Sequence, residues 1–466
     1  MRATNLRFYR QLSTKVSQAK AITRISANKV MFQSLGCPRN LVDTEVMMGL
    51  LLQKGYVPTP DVQDADYLVL NTCGFLQSAR DESRAEIDNL LEQKKKGSKL
   101  IVTGCMVNLH KDEILNDFPQ VDQVLGAGSV DKILTALTKS SMEEEDFSRK
   151  SYLESAEVPR TLSTPQHYAY LKIAEGCRKR CSFCIIPKIK GKLQSKPKDQ
   201  VINESHALLA MGVKEIILIA QDLGDYGKDV FRKDGLTEML RDLTMSIEDP
   251  DVWIRLLYLY PDEITDDLIT LLVEEPRICR YLDMPIQHIS DRILKQMKRK
   301  TTANDIRQTI EKLRSRLPGI HIRTSLMVGF PGETDEDFLL LLDFVQEIKL
   351  DNVGVFQYSD EELAASSKLD NHVSEEIKQD RFDRLMKAQL GVVLEKNASR
   401  VGQEIDVVVE GLHPEHPELV VGRYYGQCPD IDGQVILVVD EHPQPGKRYR
   451  ARVIDFDNYD LIAELI

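Results

Sequence analysis

Three thiols fall within the eight residues Cys177-Arg-Lys-Arg-Cys181-Ser-Phe-Cys184, a density that suits ligation. A cubane iron–sulfur cluster takes four thiolates, so a loop offering three leaves one iron open to an outside ligand. Two other readings stand beside this one. Structural zinc sites close with four ligands, usually paired as CxxC, and no further cysteine or histidine completes this loop; His167 and His206 lie outside it. Three buried, unligated cysteines would need no partner at all. Phe183 ahead of the last cysteine, and the position of the loop just past an apolar segment, favour the cluster. A second set, Cys37, Cys73 and Cys105, is widely spread, yet each member sits in a glycine-bearing turn: Gly36-Cys37, Cys73-Gly74 and Gly104-Cys105.

Cysteines so far apart meet only if the fold gathers their turns. From Val30, apolar segments at 30–34, 67–71 and 99–103 alternate with helical ones at 42–54 and 79–96, the order of an α/β domain on a parallel sheet. Each of the three cysteines follows a strand, and loops at the carboxyl ends of parallel strands collect on one edge. Six further strands are expected at 168–174, 215–221, 253–260, 281–285, 321–328 and 352–358. Amphipathic helices at 200–211, 236–247, 262–273, 302–317 and 334–348 separate them. That is a partial (β/α)6 barrel, two units short of the closed eightfold form. Its first strand ends at Glu175-Gly176, so Cys177 opens a loop on the face where such barrels do chemistry. From Asn397, β-rich runs at 404–410, 435–439 and 448–455 between Gly, Pro and His turns read as a small antiparallel β-barrel. The expected division is an N-terminal extension 1–29, a cluster domain 30–139, a linker 140–164 with the acidic run Glu143-Glu144-Glu145-Asp146, a barrel 165–396 and a terminal barrel 397–466.

The 466 residues, 42% apolar and 29% charged, suit a soluble chain of two to four domains. No apolar run approaches the roughly 18 residues of a membrane span. Eight cysteines are too sparse for a secreted disulfide scaffold, which places the chain in a reducing, cytoplasmic setting. A formal charge of −12 argues against coating nucleic acid by bulk electrostatics. The first 29 residues carry Arg2, Arg7, Arg10, Lys15, Lys20, Arg24 and Lys29 and no acid, which fits an organellar transit peptide and fits an unstructured or mis-started extension.

The CxxxCxxC loop with its aromatic resembles the motif of the radical S-adenosylmethionine superfamily. The order of a three-cysteine domain, a radical barrel and a terminal barrel that looks like a TRAM domain resembles the methylthiotransferase family within it, over almost the whole chain from Val30. The resemblance implies that Cys177, Cys181 and Cys184 hold a 4Fe-4S cluster. Its open iron would bind S-adenosylmethionine and pass an electron to the sulfonium, releasing methionine and a 5′-deoxyadenosyl radical. It implies a second 4Fe-4S cluster on Cys37, Cys73 and Cys105 as source or carrier of the inserted sulfur, with three free core cysteines as the competing reading. One S-adenosylmethionine would methylate that sulfur, and another would yield the radical that takes hydrogen from an unactivated carbon.

Ser34-Leu-Gly-Cys-Pro-Arg-Asn-Leu-Val-Asp-Thr-Glu45, Tyr281-Leu-Asp-Met-Pro-Ile-Gln-His288 and Val355-Phe-Gln-Tyr-Ser359 resemble the branch that modifies the β-carbon of an aspartate in small-subunit ribosomal protein number twelve. Gly329-Phe-Pro-Gly-Glu-Thr334 is shared with the transfer-RNA branch, which typically carries Gly-Cys-Gln-Met-Asn in the first segment. The implied partners are that ribosomal protein and a reducing donor such as flavodoxin or ferredoxin, with no membrane and no tight nucleic-acid binding. From Asn397 onward, six Lys or Arg face thirteen Asp or Glu, a net of −7, which repels phosphates and attracts a basic protein; a merely solvated surface reads the same. Lys172, Arg178, Lys179, Arg180, Lys188, Lys190, Lys192, Lys196 and Lys198 form a basic stretch that fits phosphate contact, a docking face for an acidic electron donor, and simple solubility.

The resemblance also places Gln221 and Asp222, after the second barrel strand, against the methionine part of the cofactor. It lets backbone at Gly329 and Gly332, after the fifth, approach the ribose or adenine. A loop hydrogen bond and a strand-to-helix turn capped by Thr334 are the plainer readings. The chain departs from the family at Arg178-Lys179, often Asn-His; at Leu223-Gly224-Asp225, often Thr-Thr-x; and at Leu363-Ala364, often Gly-Thr. These changes spare every cluster ligand and bear on the fine shape of the cofactor pocket. Cys279, Cys428 and His288 lack ligand partners and read as packing. The competing functions are methylthiolation of adenosine in transfer RNA and a non-catalytic iron–sulfur or zinc-binding interaction protein.

Overall fold

The computed structural model describes residues 28–138, 152–154, 159–230, 235–413 and 415–466. The expected extension falls outside the described residues up to position 27, as does most of the expected linker. From Lys29 the chain runs β1 (Lys29–Ser34), α1 (Pro38–Gln53), β2 (Val57–Pro58), β3 (Tyr67–Thr72), α2 (Gln77–Gln93), β4 (Lys99–Gly104), α3 (Val107–Asp117), β5 (Gln123–Gly126) and α4 (Ile133–Thr138). The five strands are all parallel in the order β2-β1-β3-β4-β5. Leu68-Val69-Leu70 and Leu100-Ile101-Val102 are buried throughout, as strands covered on both faces must be. This order reverses between β1 and β3, which opens a crevice at their carboxyl ends. β2 and β5, two and four residues long, are too short to show a period in sequence.

The second unit runs β6 (Tyr168–Lys172), β7 (Ala174–Glu175), α5 (Ile186–Lys190), β8 (Gln194–Ser195), α6 (Lys198–Ala210), β9 (Glu215–Ile219), α7 (Gly235–Ser246), β10 (Trp253–Leu256), α8 (Asp266–Glu274), β11 (Ile278–Asp283), α9 (Asp291–Gln296), α10 (Ala303–Arg316), β12 (His321–Val328), α11 (Asp335–Ile348) and β13 (Asn352–Gln357). Six strands, β6, β9, β10, β11, β12 and β13, lie side by side and parallel in chain order, the open six-unit barrel that the alternation anticipates. The helices pack on its convex face in one large apolar cluster. The concave face is filled from both ends: Tyr170, Ile217, Ile219, Leu257 and Tyr281 meet Leu41 and Val42 of α1 on one side and Cys428 and Ile431 on the other. Cys279 joins the same cluster, so both unpaired cysteines are packing residues.

A helix of 26 residues, α12 (Glu375–Arg400), then backs β13 and α11. The terminal unit is a closed barrel of β14 (Glu404–Leu412), β15 (Val420–Arg423), β16 (Val435–Val438), β17 (Arg448–Asp457) and β18 (Asp460–Leu465), in the order β14-β15-β16-β18-β17. Four junctions are antiparallel as expected; the fifth, β16 with β18, is parallel. The chain leaves β16 and crosses to pair β17 with β14, so the returning β18 fills the gap beside β16 in the same direction. The interior holds alternate residues such as Val407, Val409, Ala451 and Val453.

Candidate active site

Gly36 holds φ +84°, and a Cβ there would lie 3.1 Å from Cys73 Sγ, so glycine lets the turn after β1 rest against the turn after β3. Cys37 caps α1, with Pro38 opening the helix. One side chain ties the three turns: Asn40 donates to the carbonyls of Leu35 (3.1 Å) and Thr72 (2.9 Å), and its amide oxygen lies 3.5 Å from Cys105 Sγ. Burial pushes the Cys105 thiol up to about 12 and also raises Cys73. Burial opposes ionisation of Cys37 too, but the Arg39 guanidinium and the backbone N–H of Asn40 outweigh it and hold that thiol below its ordinary value.

The other triplet sits between β7 and α5, pinned by backbone. Ser182 donates through N–H to Met297 O (3.1 Å) and through its hydroxyl to Gln296 O (2.8 Å), and its carbonyl accepts from the Ser366 N–H (2.8 Å). The Tyr260 hydroxyl and the Arg299 guanidinium each lie 3.7 Å from Cys181 Sγ, with the guanidinium 4.0 Å over the Tyr260 ring. Lys179, within the loop, is surrounded by Glu263 (2.5 Å), Asp262 (3.2 Å) and Asp222 (3.3 Å). Burial raises Cys177 to about 11 and Cys184 to about 12.

The carboxyl ends of the two sheets face each other across a seam. Arg39 crosses it, donating to Ala220 O (2.8 Å) and lying 5.0 Å over the Tyr258 ring. Beneath, Asp43 of α1 and Glu175 of β7 share the buried ammonium groups of Lys172 and Lys190. Glu361, just past β13, accepts from Gln77 N (2.9 Å) and Arg80 (2.7 Å) of α2. Cys105 packs against Ile185, Ile189 and Ala364 of the barrel unit. Among the described residues, the only three ligating side chains drawn within 4.8 Å of one another are Asp222, Asp225 and Glu263. Three thiols in each set, with the half-buried Arg299 beside one and the half-buried Arg39 and buried Lys190 beside the other, are a donor set that suits an iron–sulfur cluster with an open position.

Residues 29–126 match the Uncharacterized protein family UPF0004, 171–345 the Radical SAM superfamily and 401–466 the TRAM domain. The chain is 53% identical to the ribosomal protein uS12 methylthiotransferase RimO of Protochlamydia amoebophila, over 94% of this chain and 93% of that one. The chain belongs to the RimO family of methylthiotransferases. The RimO relative from Chlamydia felis is 50% identical over 95% of this chain and 96% of its own length. Among solved structures, the radical S-adenosylmethionine methyltransferase TsrM of Kitasatospora setae aligns with a TM-score of 0.52 at 15% identity, covering 71% of this chain and 75% of that one, which is agreement of fold. Membership of the RimO family makes this a radical S-adenosylmethionine enzyme that uses iron–sulfur chemistry. No helix among the described residues is long and apolar enough to cross a membrane.

The remaining expected site residues lie around this RimO-type centre in less open positions. Gln221 donates to Glu175 (3.1 Å), leaving its amide oxygen buried and without a hydrogen-bond partner. Asp222 accepts from Gly224 N (3.1 Å); burial lifts it to about 7 against the pull of Lys179, with Asp225 and Glu263 adding to the rise. The backbone N–H groups of Gly329 and Phe330 donate to Glu333 (2.5 and 3.1 Å), a carboxyl that burial raises to about 7 despite Arg381. Gly332 has φ +80° and an open neighbourhood. His288 is buried, accepts from Ser290 N (3.0 Å), and burial lowers it to about 3. Of the basic stretch, Lys172, Lys190 and Lys196 are buried in ion pairs, Lys179 is caged and Lys198 is paired with Asp242. Arg178, Arg180, Lys188 and Lys192 point to solvent. Asn40, Arg39, Tyr260 and Arg299 are site residues that sequence reasoning missed. For Asn40 the one available signal is its place three residues after Cys37.

Proposed function

We propose that this chain transfers a methylthio group to the β-carbon of an aspartate in ribosomal protein uS12, acting in the cytoplasm. In this reading Cys177, Cys181 and Cys184 hold one 4Fe-4S cluster, and Cys37, Cys73 and Cys105 hold a second. The observation that carries it is the facing of two three-thiol sets across one seam, each with a cation beside it. When bound, the first cluster supplies an electron to the sulfonium of S-adenosylmethionine and the second carries the sulfur to be inserted. The chain's own part is positional. Tyr260 and Arg299 fix Cys181, Asn40 fixes the turns of the second set, and Arg39 with the Asp43–Lys172–Glu175–Lys190 network sets the spacing between them. Gln221, Asp222, Gly329 and Gly332 are assigned to the S-adenosylmethionine side of the seam, supported by their place at strand ends beside the first triplet. Arg178, Arg180, Lys188 and Lys192 form the docking face for an acidic electron donor such as flavodoxin or ferredoxin. The units follow the division 30–139, 165–396 and 397–466.

The test is anaerobic reconstitution with about eight irons per chain expected, followed by mass spectrometry of purified uS12 after reaction with S-adenosylmethionine and reductant. A methylthio mass shift on one aspartate is the expected result; a shift on transfer RNA and none on uS12 overturns the substrate, and zinc without iron overturns the chemistry. Replacing Cys37, Cys73 and Cys105 by alanine should spare 5′-deoxyadenosine formation and abolish methylthiolation.

A further inference from the structure

A protein substrate must reach the seam, and the acidic terminal barrel is not beside it. That barrel docks at the opposite end of the six-stranded sheet, where Arg423 pairs with Glu215 (2.8 Å), Asp430 accepts from Tyr168 (3.0 Å) and Asp432 from Tyr281 (2.7 Å); Tyr168 and Glu215 begin their strands. The net negative charge expected to draw in the substrate therefore lies a strand length from the cysteines.

A cavity of about 280 Å³ does open at the seam, lined by Met106 and Ile185, the neighbours of Cys105 and Cys184, and by Asp360, Glu361 and Glu362. Its charges are not balanced. Glu361 is taken by Arg80, while Arg84 and His110 are both taken by Glu113. Asp360 and Glu362 remain, both exposed: Asp360 accepts only from the Tyr358 hydroxyl at 3.3 Å, with His372 3.8 Å away, and the Glu362 carboxylate has no partner among the described residues. Four residues before Asp360, Phe356 stands 51% exposed at the open edge of the barrel, on the face of β13 opposite the buried Val353 and Val355. Its neighbour on β12, Met327, packs on the same apolar cluster as Phe183 of the cysteine loop. An exposed aromatic ring followed by two free carboxylates is a surface for Arg and Lys side chains, through cation–π contact and charge pairing.

We propose that the strip Phe356–Asp360–Glu362 docks a basic loop of the ribosomal protein substrate and presents the residue it carries to the seam. The inference rests on the protein-substrate reading. A ribosomal protein is basic because it neutralises RNA phosphates, whereas the same two carboxylates repel an RNA substrate.

The experiment uses reconstituted holoenzyme and purified uS12, with Kd measured by biolayer interferometry at low salt and at about 0.3 M salt. The double variant Asp360→Lys/Glu362→Lys should bind at least about tenfold more weakly at low salt, with a flatter salt dependence and unchanged iron content. Phe356→Ala should weaken binding severalfold. The same charge change at Glu415 and Glu418, exposed on the terminal barrel, should alter Kd less than about threefold. Wild-type affinity in the seam double variant overturns the docking strip while leaving the function intact, as does an equal loss in the terminal-barrel control. Wild-type enzyme that ignores uS12 and binds transfer RNA overturns the function and the strip together.

Discussion

A guanidinium set between two groups of thiols has two separable effects. Arg39 fastens the start of α1 to the barrel through Ala220 and Tyr258, and its charge favours thiolate at Cys37 and Cys184, one from each set. Arg39→Met keeps most of the volume and removes both effects; a charge-assisted hydrogen bond of this kind contributes roughly 1.5–3 kcal/mol. Methylthiolation should fall at least about tenfold, and 5′-deoxyadenosine formation should fall less, when the two products are quantified in one reaction. Equal losses would reduce Arg39 to a mechanical tie. That Cys37, Cys73 and Cys105 meet at one sheet edge was legible in sequence, because a glycine turn after a strand marks where each one lies. Arg39 and Arg299 were not, because their partners lie 181 and 118 residues away and an isolated arginine reads as surface.

Among the elements, long strands with continuous apolar runs and helices with apolar stripes stood out, and those are the ones that place the cysteines. α12 did not, although it is 26 residues long. Its buried face is Lys378, Arg381, Leu385, Gln389, Val392, Val393 and Asn397, a helical period carried half by polar side chains that a hydrophobicity pattern cannot show. That face constrains the expected cofactor glycines. Gly329 has φ +75°, and a Cβ there would lie 2.3 Å from Lys378 Cγ; at Gly332, φ +80°, nothing comes nearer than 3.6 Å. Gly332→Ala should therefore cost only the left-handed backbone penalty, about 1–2 kcal/mol. Gly329→Ala should cost a further 1–3 kcal/mol or so of overpacking. Denaturant melts of Gly329→Ala, Lys378→Ala and the double variant should show that added part returning when the lysine is cut back. Equal costs at the two glycines would mean that Lys378 moves aside freely.

At the scale of the molecule, the three units are joined by buried charge. Asp43 and Glu175 share two lysines, Arg160 pairs with Glu45 (2.6 Å) and Glu204 (3.0 Å), and Arg423 pairs with Glu215 and Glu410. Such pairs add little net stability but fix geometry, since losing one partner strands a charge out of water. Sequence shows the charges without showing which unit each one faces, so the placement of the terminal barrel became visible only in the fold. Its docking should be sensitive to acid. Burial alone would raise Glu410, but Arg423 and His167 outweigh it and hold the carboxyl at about 2, against an ordinary 4.5. A depressed carboxyl contributes its stability in full above the unfolded value and loses it as pH falls from about 4.5 toward 2, here at most about 3 kcal/mol. Glu215 is shifted in the same direction by Arg255 and Arg423 after burial is overcome, and adds to the same slope. Melts of the apoprotein should show Glu410→Gln less stable than the native chain at pH 7, with the gap closing as the pH passes from about 4.5 to 2. A gap that persists at low pH would mean that the pair acts through shape alone, with the acid sensitivity residing elsewhere in the molecule.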